Sequence, residues 1–569
     1  MKVPRAIQQL LRRHRGPLLF LFVTFGFYFI YIFSQILQMR PTGLWGGHVH
    51  VWGDWSLHIT MANIFAQKPP SEWFAYHPYF AGGKLTYAFF TNLISGLLMR
   101  LGFSLTAAFL LPSMLYGILL TFGLYAVFYL ILRTKKAAVA SVFIFFCSSG
   151  LGFLRFFSDW LNNPTLEHLL YPTKDYTRLE QQYQWLAGNW FNGMLIPQRA
   201  YLLGMSITAW IMAGLLWVFL PLFKKPKQAL TKHQKIILVV AGIGAGILPI
   251  THMHSFIVLV ITSGLLGLVF IKQWQKWLWY GIPAGVLSTI LYWHFVKGGI
   301  QNPDFMQLFI GWTAAKGNNP LQHFVNWLVM WWEIWGVMIP MAVIGVSIAR
   351  KKLTLPKQAF LASGFVIFAL ANIVLFQPIQ WDNSKLFMWV YFFFSPLAAL
   401  VLQQLWRQKE SSKWLAVILF ILLTGSGYME MWRLGRFDKN SLMMASNEDM
   451  AIGREVQQKT NSQAIFLTYT AHNHPIMEWG VRPILLGYPG WAFNFGFEYR
   501  QREQDIKTMF LGGSRAEELL KQYNVSYVVI GPEESRLMNA NEAYYRRYPL
   551  VIQNLNFRIY DVRSLTGAP

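Results

Sequence analysis

Cysteine is almost absent from this chain of 569 residues, which has Cys147 as its single example. One thiol excludes an intrachain disulfide, and its position inside an apolar run gives no indication of a redox compartment. Acidic residues are also scarce, because 25 Asp and Glu stand against 49 Lys and Arg, and only 11 of these acids fall in residues 1–434. Each carboxylate in that region therefore merits individual attention.

Charge of either sign is rare, since only 13% of the residues are charged and 54% are hydrophobic. Long apolar runs recur along the chain, and this composition is typical of a polytopic membrane protein rather than a soluble one. A formal net charge of +24 is also typical of nucleic-acid-binding proteins. The placement of the basic residues distinguishes a nucleic-acid-binding surface from the charge pattern of a membrane protein. They cluster in short loops between apolar runs, which indicates membrane topology and no nucleic-acid partner.

Twelve segments have the roughly 20 mostly apolar residues that a membrane-crossing helix needs. They lie near residues 17–38, 84–103, 106–132, 137–157, 195–223, 236–252, 254–271, 277–296, 325–349, 358–378, 386–405 and 414–433. The basic clusters between them should share the cytoplasmic side, and they do so only if one segment fails to cross. Segment 84–103 carries Lys84 and Arg100 and suits a helix lying in the membrane interface. We therefore predict eleven crossings with a cytoplasmic N-terminus, the first being a retained helix rather than a cleaved signal peptide.

This topology predicts a transmembrane domain over residues 1–434, whose first outer loop, 39–105, holds interfacial helices. Residues 435–569 differ in character, because they contain the other 14 acids and only short apolar runs. We predict a small extracytoplasmic α/β domain there, with a helix over 514–523 and strands over 464–468, 484–487 and 525–531.

Asp54 is the acid that the topology places most informatively, in the sequence GDWSLH of the first outer loop. His58 follows four residues later, so on a helix the two side chains share one face and can act on one ligand as a general base and its polar neighbour. The alternative is an Asp that caps a helix N-terminus. Glu333, inside an apolar segment, is a third catalytic candidate, with a structural partnership to a nearby Arg or Trp as its alternative.

Cationic side chains at the outer ends of the predicted spans are candidates for phosphate binding. Arg199, in Pro-Gln-Arg, can hold phosphate in a bidentate grip, although snorkelling to lipid headgroups is a common alternative for such residues and for Arg155. Lys385 lies in the turn Trp-Asp-Asn-Ser-Lys, where it can meet an anion while Asp382 caps the next helix or contacts sugar.

Three His-x-His pairs fall on the predicted outer side: His48/His50, His252/His254 and His472/His474. No cysteine and no regular acid spacing completes a ligand set, so a divalent metal stays an open alternative and no cofactor is assigned. We favour phosphate contact for His252 and His254. Hydrogen bonding and ring stacking predict sugar or acceptor contacts for four other residues, with packing as the alternative: His77, His472, His474 and Trp491.

Taken in order, these motifs resemble the GT-C superfamily of polytopic membrane glycosyltransferases, specifically a bacterial branch of polyprenyl-phosphate-sugar-dependent type. The resemblance rests on the first-loop Asp, the interfacial helices, the approximate span number and the extracytoplasmic C-terminal domain. It covers most of the chain. Many members carry an Asp-Glu pair in the first loop, whereas Trp55 follows Asp54 here, so the resemblance supplies no second acid.

The resemblance implies transfer of a hexosyl or pentosyl group from a polyprenyl-phosphate donor to an envelope lipid, glycan or protein. The reaction would take place on the outer face of the cytoplasmic (inner) membrane, with inversion and with Asp54 as general base. A lipid-linked sugar flippase or transporter is the main alternative. Broken paired spans and internal repeats would favour this alternative. The sequence shows neither, but spans that contain Pro and Gly, such as 242–249, keep it open. A third alternative is an envelope scaffold whose soluble domain binds a partner.

Overall fold

The structure, a computed structural model, describes residues 5–86, 88–298 and 306–568. Residues 1–4, which begin the predicted basic N-terminal cluster, lie outside the described part. The chain forms two compact units. The first contains residues 1–34, 113–294 and 304–436, and the second contains 35–112, 295–303 and 437–569. The predicted first outer loop, 39–105, falls entirely in the second unit, and the predicted domain boundary at 434/435 lies two residues before a boundary between the units.

The first unit is almost entirely helical. The longer helices that lie wholly or mostly in it are Arg5–Leu21, Phe27–Gln35, Leu105–Leu132, Lys135–Phe146, Gly152–Asn162, Arg199–Lys224, Lys232–Gly246, Met253–Val269, Trp274–Leu291, Pro320–Trp335, Met338–Lys352, Leu355–Ile373, Ser384–Trp406 and Glu410–Leu434. Shorter helical segments are Phe22–Gly26, Leu166–Leu170, Glu180–Tyr183, Phe191–Leu195, Leu248–Thr251, Ile271–Gln273, Tyr292–Val296 and Gln380–Asn383, and Gln307–Leu308 pairs with Val374–Leu375 as a two-stranded sheet.

Seven helical stretches among the described residues are long and apolar enough to cross a membrane. They match predicted spans and comprise Arg12–Gln35, Leu105–Leu132, Arg199–Lys224, Lys232–Thr251, Leu355–Ile373, Gln380–Trp406 and Glu410–Leu434. Two bent helix pairs raise the number to nine if each counts as one span. The predicted eleven crossings stay a prediction. The weak segment 84–103 contains only an 11-residue helix, Phe90–Arg100, which is too short to cross.

One of the bent pairs replaces the single span that the sequence predicts over 325–349. Pro320–Trp335 meets Met338–Lys352 at 94°, and the break includes Gly336, whose φ is +55°. A left-handed backbone favours glycine, and a Cβ there would also lie 3.0 Å from Leu151. The predicted spans 254–271 and 277–296 form the second pair, which is bent by 92°.

The predicted span 137–157 is not continuous, because its helix ends at Phe146 and an irregular segment follows to Leu151. Asn189 donates hydrogen bonds to the carbonyls of Phe146 and Ser148 (2.9 Å each), and Ser426 donates one to Gly150 (2.6 Å). Buried irregular backbone is tolerated at such a depth only when its polar groups are satisfied within the protein. These side chains therefore allow the break.

The second unit combines two sheets with short helices. Strands Leu37–Arg40, Gly43–Gly46 and Leu442–Ser446 form an antiparallel sheet, and Phe466–Leu467, Tyr527–Ile530, Arg558–Asp561 and Leu550–Gln553 lie side by side in that order in the other. The helices are Val49–Gln67, Pro70–Glu72, Phe90–Arg100, Phe437–Asn440, Asn447–Lys459, Pro475–Glu478, Pro489–Asn494, Arg500–Leu511, Ser514–Gln522, Pro532–Leu537, Glu542–Tyr545 and Arg563–Thr566.

The C-terminal part of this unit confirms the predicted α/β character. The helix predicted over 514–523 is present, as are strands within 464–468 and 525–531, and Ile484 forms a parallel bridge with Phe466. The last two strands, Leu550–Gln553 and Arg558–Asp561, were not predicted.

Candidate functional site

The N-terminal ends of three long helices of the first unit meet around one tyrosine, Tyr201. Its hydroxyl donates a hydrogen bond to the backbone carbonyl of Lys385 (2.6 Å), and its ring stacks on that of His252 with 4.3 Å between centroids. Helix N-termini carry partial positive charge and exposed N–H donors, so this arrangement favours an anion. The helices are Arg199–Lys224, Met253–Val269 and Ser384–Trp406.

Arg199 is the first residue of its helix and is fully buried. Its Nε donates a hydrogen bond to the hydroxyl of Ser113 (3.0 Å), which fixes the plane of the guanidinium. Tyr116 also lies within electrostatic range of Arg199. A buried guanidinium at a helix N-terminus adds a full charge to the partial charge of the helix.

His252 and His254 occupy the break between helices Leu248–Thr251 and Met253–Val269. His252 has an extended backbone and caps the second helix, because its Nδ1 accepts a hydrogen bond from the backbone N–H of Ser255 (3.3 Å). The two imidazole rings lie 5.3 Å apart, and Lys385 is within electrostatic range of both. The structure therefore joins three of the five predicted phosphate-binding residues in one cluster.

Lys385 also forms an ion pair with Asp382, with 3.0 Å between Nζ and Oδ1. Asp382 is buried in the short helix Gln380–Asn383, directly before the helix that carries Lys385. The ammonium group lies 5.6 Å from the centre of the Trp381 ring. Asp382 thus holds the lysine in place, and its predicted contact with sugar stays a prediction.

Glu333 and Arg155 lie within electrostatic range of each other in the first unit. The Glu333 carboxylate accepts a hydrogen bond from the Tyr183 hydroxyl and interacts electrostatically with Arg155. Arg155 donates a hydrogen bond to the carbonyl of Tyr176 (3.0 Å). These contacts match the structural alternative for Glu333. The catalytic role of Glu333 and the phosphate role of Arg155 stay predictions.

Asp54 lies in the second unit, in the second turn of helix Val49–Gln67. The helix is capped by His48, whose Nδ1 accepts a hydrogen bond from the backbone N–H of His50 (3.2 Å). The alternative of Asp54 as a helix cap is therefore wrong. Asp54 is half-buried and His58, one turn later, is buried, so the two residues share a helix face as the spacing predicts.

Three of the residues predicted to contact sugar or acceptor belong to one aromatic cluster of the second unit: His472, Trp491 and His77. The His472 ring stacks on Tyr488 with 3.6 Å between centroids and lies 5.3 Å from Trp491 and 5.4 Å from Trp52. Burial lowers the pKa of His472 to about 4, so the ring is neutral at pH 7. Since Trp52 precedes Asp54 on the same helix, the cluster lies near that part of the unit.

His77 continues the cluster, because Tyr79 contacts both His77 (4.1 Å between centroids) and Trp491 (5.1 Å). His77 is fully buried, and neither ring nitrogen has a hydrogen-bond partner among the described residues. Burial lowers its pKa to about 3. The His77 ring is thus neutral and packs against aromatic rings, and its predicted contact with sugar or acceptor stays a prediction.

His474 lies apart from that cluster and is fully buried. Its Nε2 pairs with Oε1 of Glu534 (2.9 Å), and its Nδ1 accepts a hydrogen bond from the backbone N–H of Ile476 (3.3 Å). Both ring nitrogens are engaged within the protein. Within residues 5–86, 88–298 and 306–568, no three His, Cys, Asp or Glu side chains are grouped closely enough to hold a metal ion.

Sequence analysis missed a buried polar network in the first unit. Asn192 donates hydrogen bonds to Asp175 and Glu430 (2.7 Å each), and Glu430 pairs with Arg433 (2.6 Å). Glu430 could have been found, because it is one of the few acids before residue 434 and lies at the end of an apolar segment. Tyr201 offered no comparable signal, since its role depends on which helices meet.

No family model and no curated protein matches the sequence, but solved structures match the fold. The oligosaccharyltransferase of Archaeoglobus fulgidus, in complex with Zn and sulfate, superposes with a TM-score of 0.52 at 12% identity, covering 92% of this chain and 69% of that one. The same enzyme, AglB, in complex with an inhibitory peptide and a dolichol-phosphate gives 0.51 at 12% identity, covering 92% and 70%. ArnT from Cupriavidus metallidurans bound to undecaprenyl phosphate gives 0.46 at 11%, covering 97% and 99%.

The chain has the GT-C fold. The predicted resemblance and fold class are thereby confirmed, and the protein is a multi-pass membrane protein with a small C-terminal α/β region. At 12% identity the match concerns the fold alone. A GT-C fold supports many individual chemistries, so the function has to be argued from the residues of this chain.

Proposed function

We propose that this GT-C protein is an inverting glycosyltransferase that moves a hexosyl or pentosyl group from a polyprenyl-phosphate donor to an envelope acceptor. The acceptor class includes lipid, glycan and protein. One observation carries the proposal: the cluster of Tyr201, His252 and Lys385, where three helix N-termini meet. An archaeal protein of the same fold was solved with a dolichol-phosphate, which is a lipid phosphate of this chemical class.

The cluster suits a phosphate leaving group. Negative charge develops on the phosphate oxygen as the bond to the anomeric carbon breaks, and preorganised cations and N–H donors stabilise that charge. Lys385 and Arg199 supply the cations, and the Ser113 hydroxyl and the Asp382 carboxylate orient them. The phosphate leaves as the free polyprenyl phosphate.

Asp54 is assigned the role of general base. It takes the proton of the acceptor hydroxyl or amine while the acceptor atom bonds to the anomeric carbon from the face opposite the phosphate, which gives inversion. His58, on the same helix face, acts beside it, and the aromatic cluster of Trp52, His472 and Trp491 contacts the sugar or acceptor. The positive-inside distribution assigns the N-terminus to the cytoplasm and the reaction to the outer face of the inner membrane.

A measurement of donor binding tests the proposed phosphate-binding role of the cluster. Purified chain in nanodiscs should bind undecaprenyl phosphate, and Lys385→Gln should weaken binding by about tenfold or more, because one charge-assisted contact is lost. Lys413→Gln is the matched control, since Lys413 also pairs with an acid three residues away at the start of a helix, at 2.6 Å, but is more exposed. Equal affinities for Lys385→Gln and Lys413→Gln would remove the phosphate role.

An assay of sugar transfer tests the proposed role of Asp54 as general base. With a radiolabelled undecaprenyl-phosphate sugar and a membrane extract as acceptor source, Asp54→Asn should lower sugar transfer by about 10²-fold or more and keep undecaprenyl phosphate affinity. The control is Glu72→Gln, which alters another acid of the same loop, paired with Lys68 at 3.6 Å. Transfer at the wild-type rate in Asp54→Asn would contradict the assignment. Movement of the donor across the bilayer without transfer would support the flippase alternative.

A further inference from the structure

A cavity of about 390 Å³ in the second unit is lined by an unusual number of acids. Five carboxylates face it, and the lining contains no Lys or Arg. The chain as a whole carries a formal charge of +24, so the cavity has the opposite sign to the protein around it. The five acids are Glu448, Asp449, Glu478, Glu533 and Glu534.

Four of these acids have partners within the protein. Glu533 pairs with Arg536 and Glu534 with His474. Glu448 and Asp449 accept hydrogen bonds from neutral donors, Asn556 in the first case and Ser446 in the second. Among the described residues, no basic side chain forms an ion pair with either of these two carboxylates.

Glu478 is the exception, because neither of its carboxylate oxygens has a hydrogen-bond partner among the residues described. It lines the cavity although its side chain is only 1% exposed. Burial, and the nearby Asp449, raise its pKa well above the ordinary value. A buried polar group left without a partner is costly, and such groups occur where a ligand supplies the missing contact.

The other lining residues restrict the kind of cation. No three His, Cys, Asp or Glu side chains in the described part of the chain are close enough to hold a metal ion, and this includes the five acids of the cavity. Aromatic side chains of Tyr469, Trp479 and Phe557 also line it. The Trp479 indole N–H has no acceptor within the described part of the protein. Ring faces pack on sugar rings, and an indole N–H can donate to a hydroxyl.

We propose that this cavity binds an amino sugar, with the ammonium group between Glu478 and Asp449 and the sugar ring against the aromatic side chains. The sugar can be free or the exposed unit of an envelope glycan. The ammonium group supplies the donors that the Glu478 carboxylate lacks, and the ring uses the volume that a metal ion would leave empty. The proposal does not depend on the donor-binding cluster or on Asp54.

Calorimetric titration of the full chain in detergent with D-glucosamine at pH 7 tests the proposal, with N-acetyl-D-glucosamine as the neutral sugar of the same ring. Glucosamine should bind at least about tenfold more tightly than the acetylated sugar, since a charge-assisted contact to a carboxylate is lost on acetylation. This comparison uses the wild-type protein alone. It therefore decides the charge requirement even if a variant does not fold.

Two variants locate the site. Glu478→Gln keeps the shape of the side chain and should weaken glucosamine binding by about ten- to a hundredfold. Glu518→Gln changes an exposed acid of the same unit that pairs with Arg515 at 2.7 Å, and it should leave binding unchanged. If the natural ligand is part of an envelope glycan, an oligomer of N-acetylglucosamine with one free amine should bind as tightly as glucosamine.

Five outcomes would overturn the proposal, and the first four concern the binding of sugars and amines. These are equal binding of both sugars, no binding of glucosamine at millimolar concentration, unchanged binding in Glu478→Gln, and tighter binding of lysine amide than of glucosamine. Displacement of glucosamine by CaCl₂ or MgCl₂ at matched ionic strength would also overturn it in favour of a metal site.

Discussion

Gly204 permits the contact on which the donor-binding cluster depends. It lies one turn after Tyr201 on the same helix, and a Cβ at this position would be 2.6 Å from the Cβ of His252 and 3.3 Å from the hydroxyl of Ser255. Ordinary contact begins at 3.4 Å, so in Gly204→Ala the His252 side chain has to withdraw by 0.8 Å, the difference between 3.4 and 2.6 Å. The ring then loses its stacking on Tyr201.

Two opposing effects set the expected stability change. Overpacking a tight contact costs about 1–3 kcal/mol, whereas Ala in place of Gly in a helix stabilises it by about 1 kcal/mol. The net loss of unfolding free energy is therefore about 0–2 kcal/mol. The affinity for the donor phosphate should fall by about tenfold, because the displacement of the His252 ring is large compared with the tolerance of a hydrogen bond.

Thermal unfolding in detergent and undecaprenyl phosphate binding in nanodiscs measure the two effects separately. Gly264→Ala is the matched control, since Gly264 lies in the middle of the helix that His252 caps and has no atom within 4 Å of its ideal Cβ position. It should keep wild-type affinity and gain slightly in stability. If Gly204→Ala binds undecaprenyl phosphate as tightly as Gly264→Ala does, the reasoning from helix contact to phosphate binding is refuted.

Two further predictions concern stability. Because burial lowers the pKa of His77 from 6.5 to about 3, the unfolded chain binds a proton at pH 5 that the folded chain excludes. The wild type should therefore lose about 2 kcal/mol of unfolding free energy between pH 7 and pH 5, and His77→Leu should not show this loss. Equal pH profiles of the two proteins in thermal unfolding would contradict this. A Cβ on Gly427 would lie 2.2 Å from the Cys147 carbonyl oxygen, whereas a Cβ on Gly425 would lie 3.4 Å from Phe153. Gly427→Ala should therefore lower the free energy of unfolding by about 3 kcal/mol and Gly425→Ala should not. Similar free energies of unfolding for the two variants would disprove the close approach.

Most spans could be predicted from the sequence because a membrane imposes one simple condition, about 20 apolar residues in a row. That condition does not determine how the helices break, bend and pack inside the unit. The break after Phe146 depends on donors from Asn189 and Ser426, which are 43 and 276 residues away from the groups they contact. The bend at Gly336 depends on a positive φ. No local pattern records either requirement.

The candidate site shows the same division. Residue type and sidedness were enough to select Arg199, Lys385 and the His252/His254 pair, since cations at outer span ends are uncommon. The partners could not be predicted: Tyr201 looks like one of many aromatic residues, and Glu478 lies in a short helix whose sequence contains no sign of a cavity. The exclusion of Asp54 as a cap needed the true start of its helix, at Val49.

The placement of the cations in the first unit is itself an argument for an anionic ligand. The N-terminal end of a helix disfavours positive charge by about 0.3–1 kcal/mol, and more when partly buried. Arg199 and Lys385 nevertheless occupy the first turns of two long helices, and Lys385 pairs there with the carboxylate of Asp382. A phosphate bound beside Lys385 and His252 would interact favourably with the helix ends that meet around Tyr201, which is why we propose the cluster as the donor site rather than as packing.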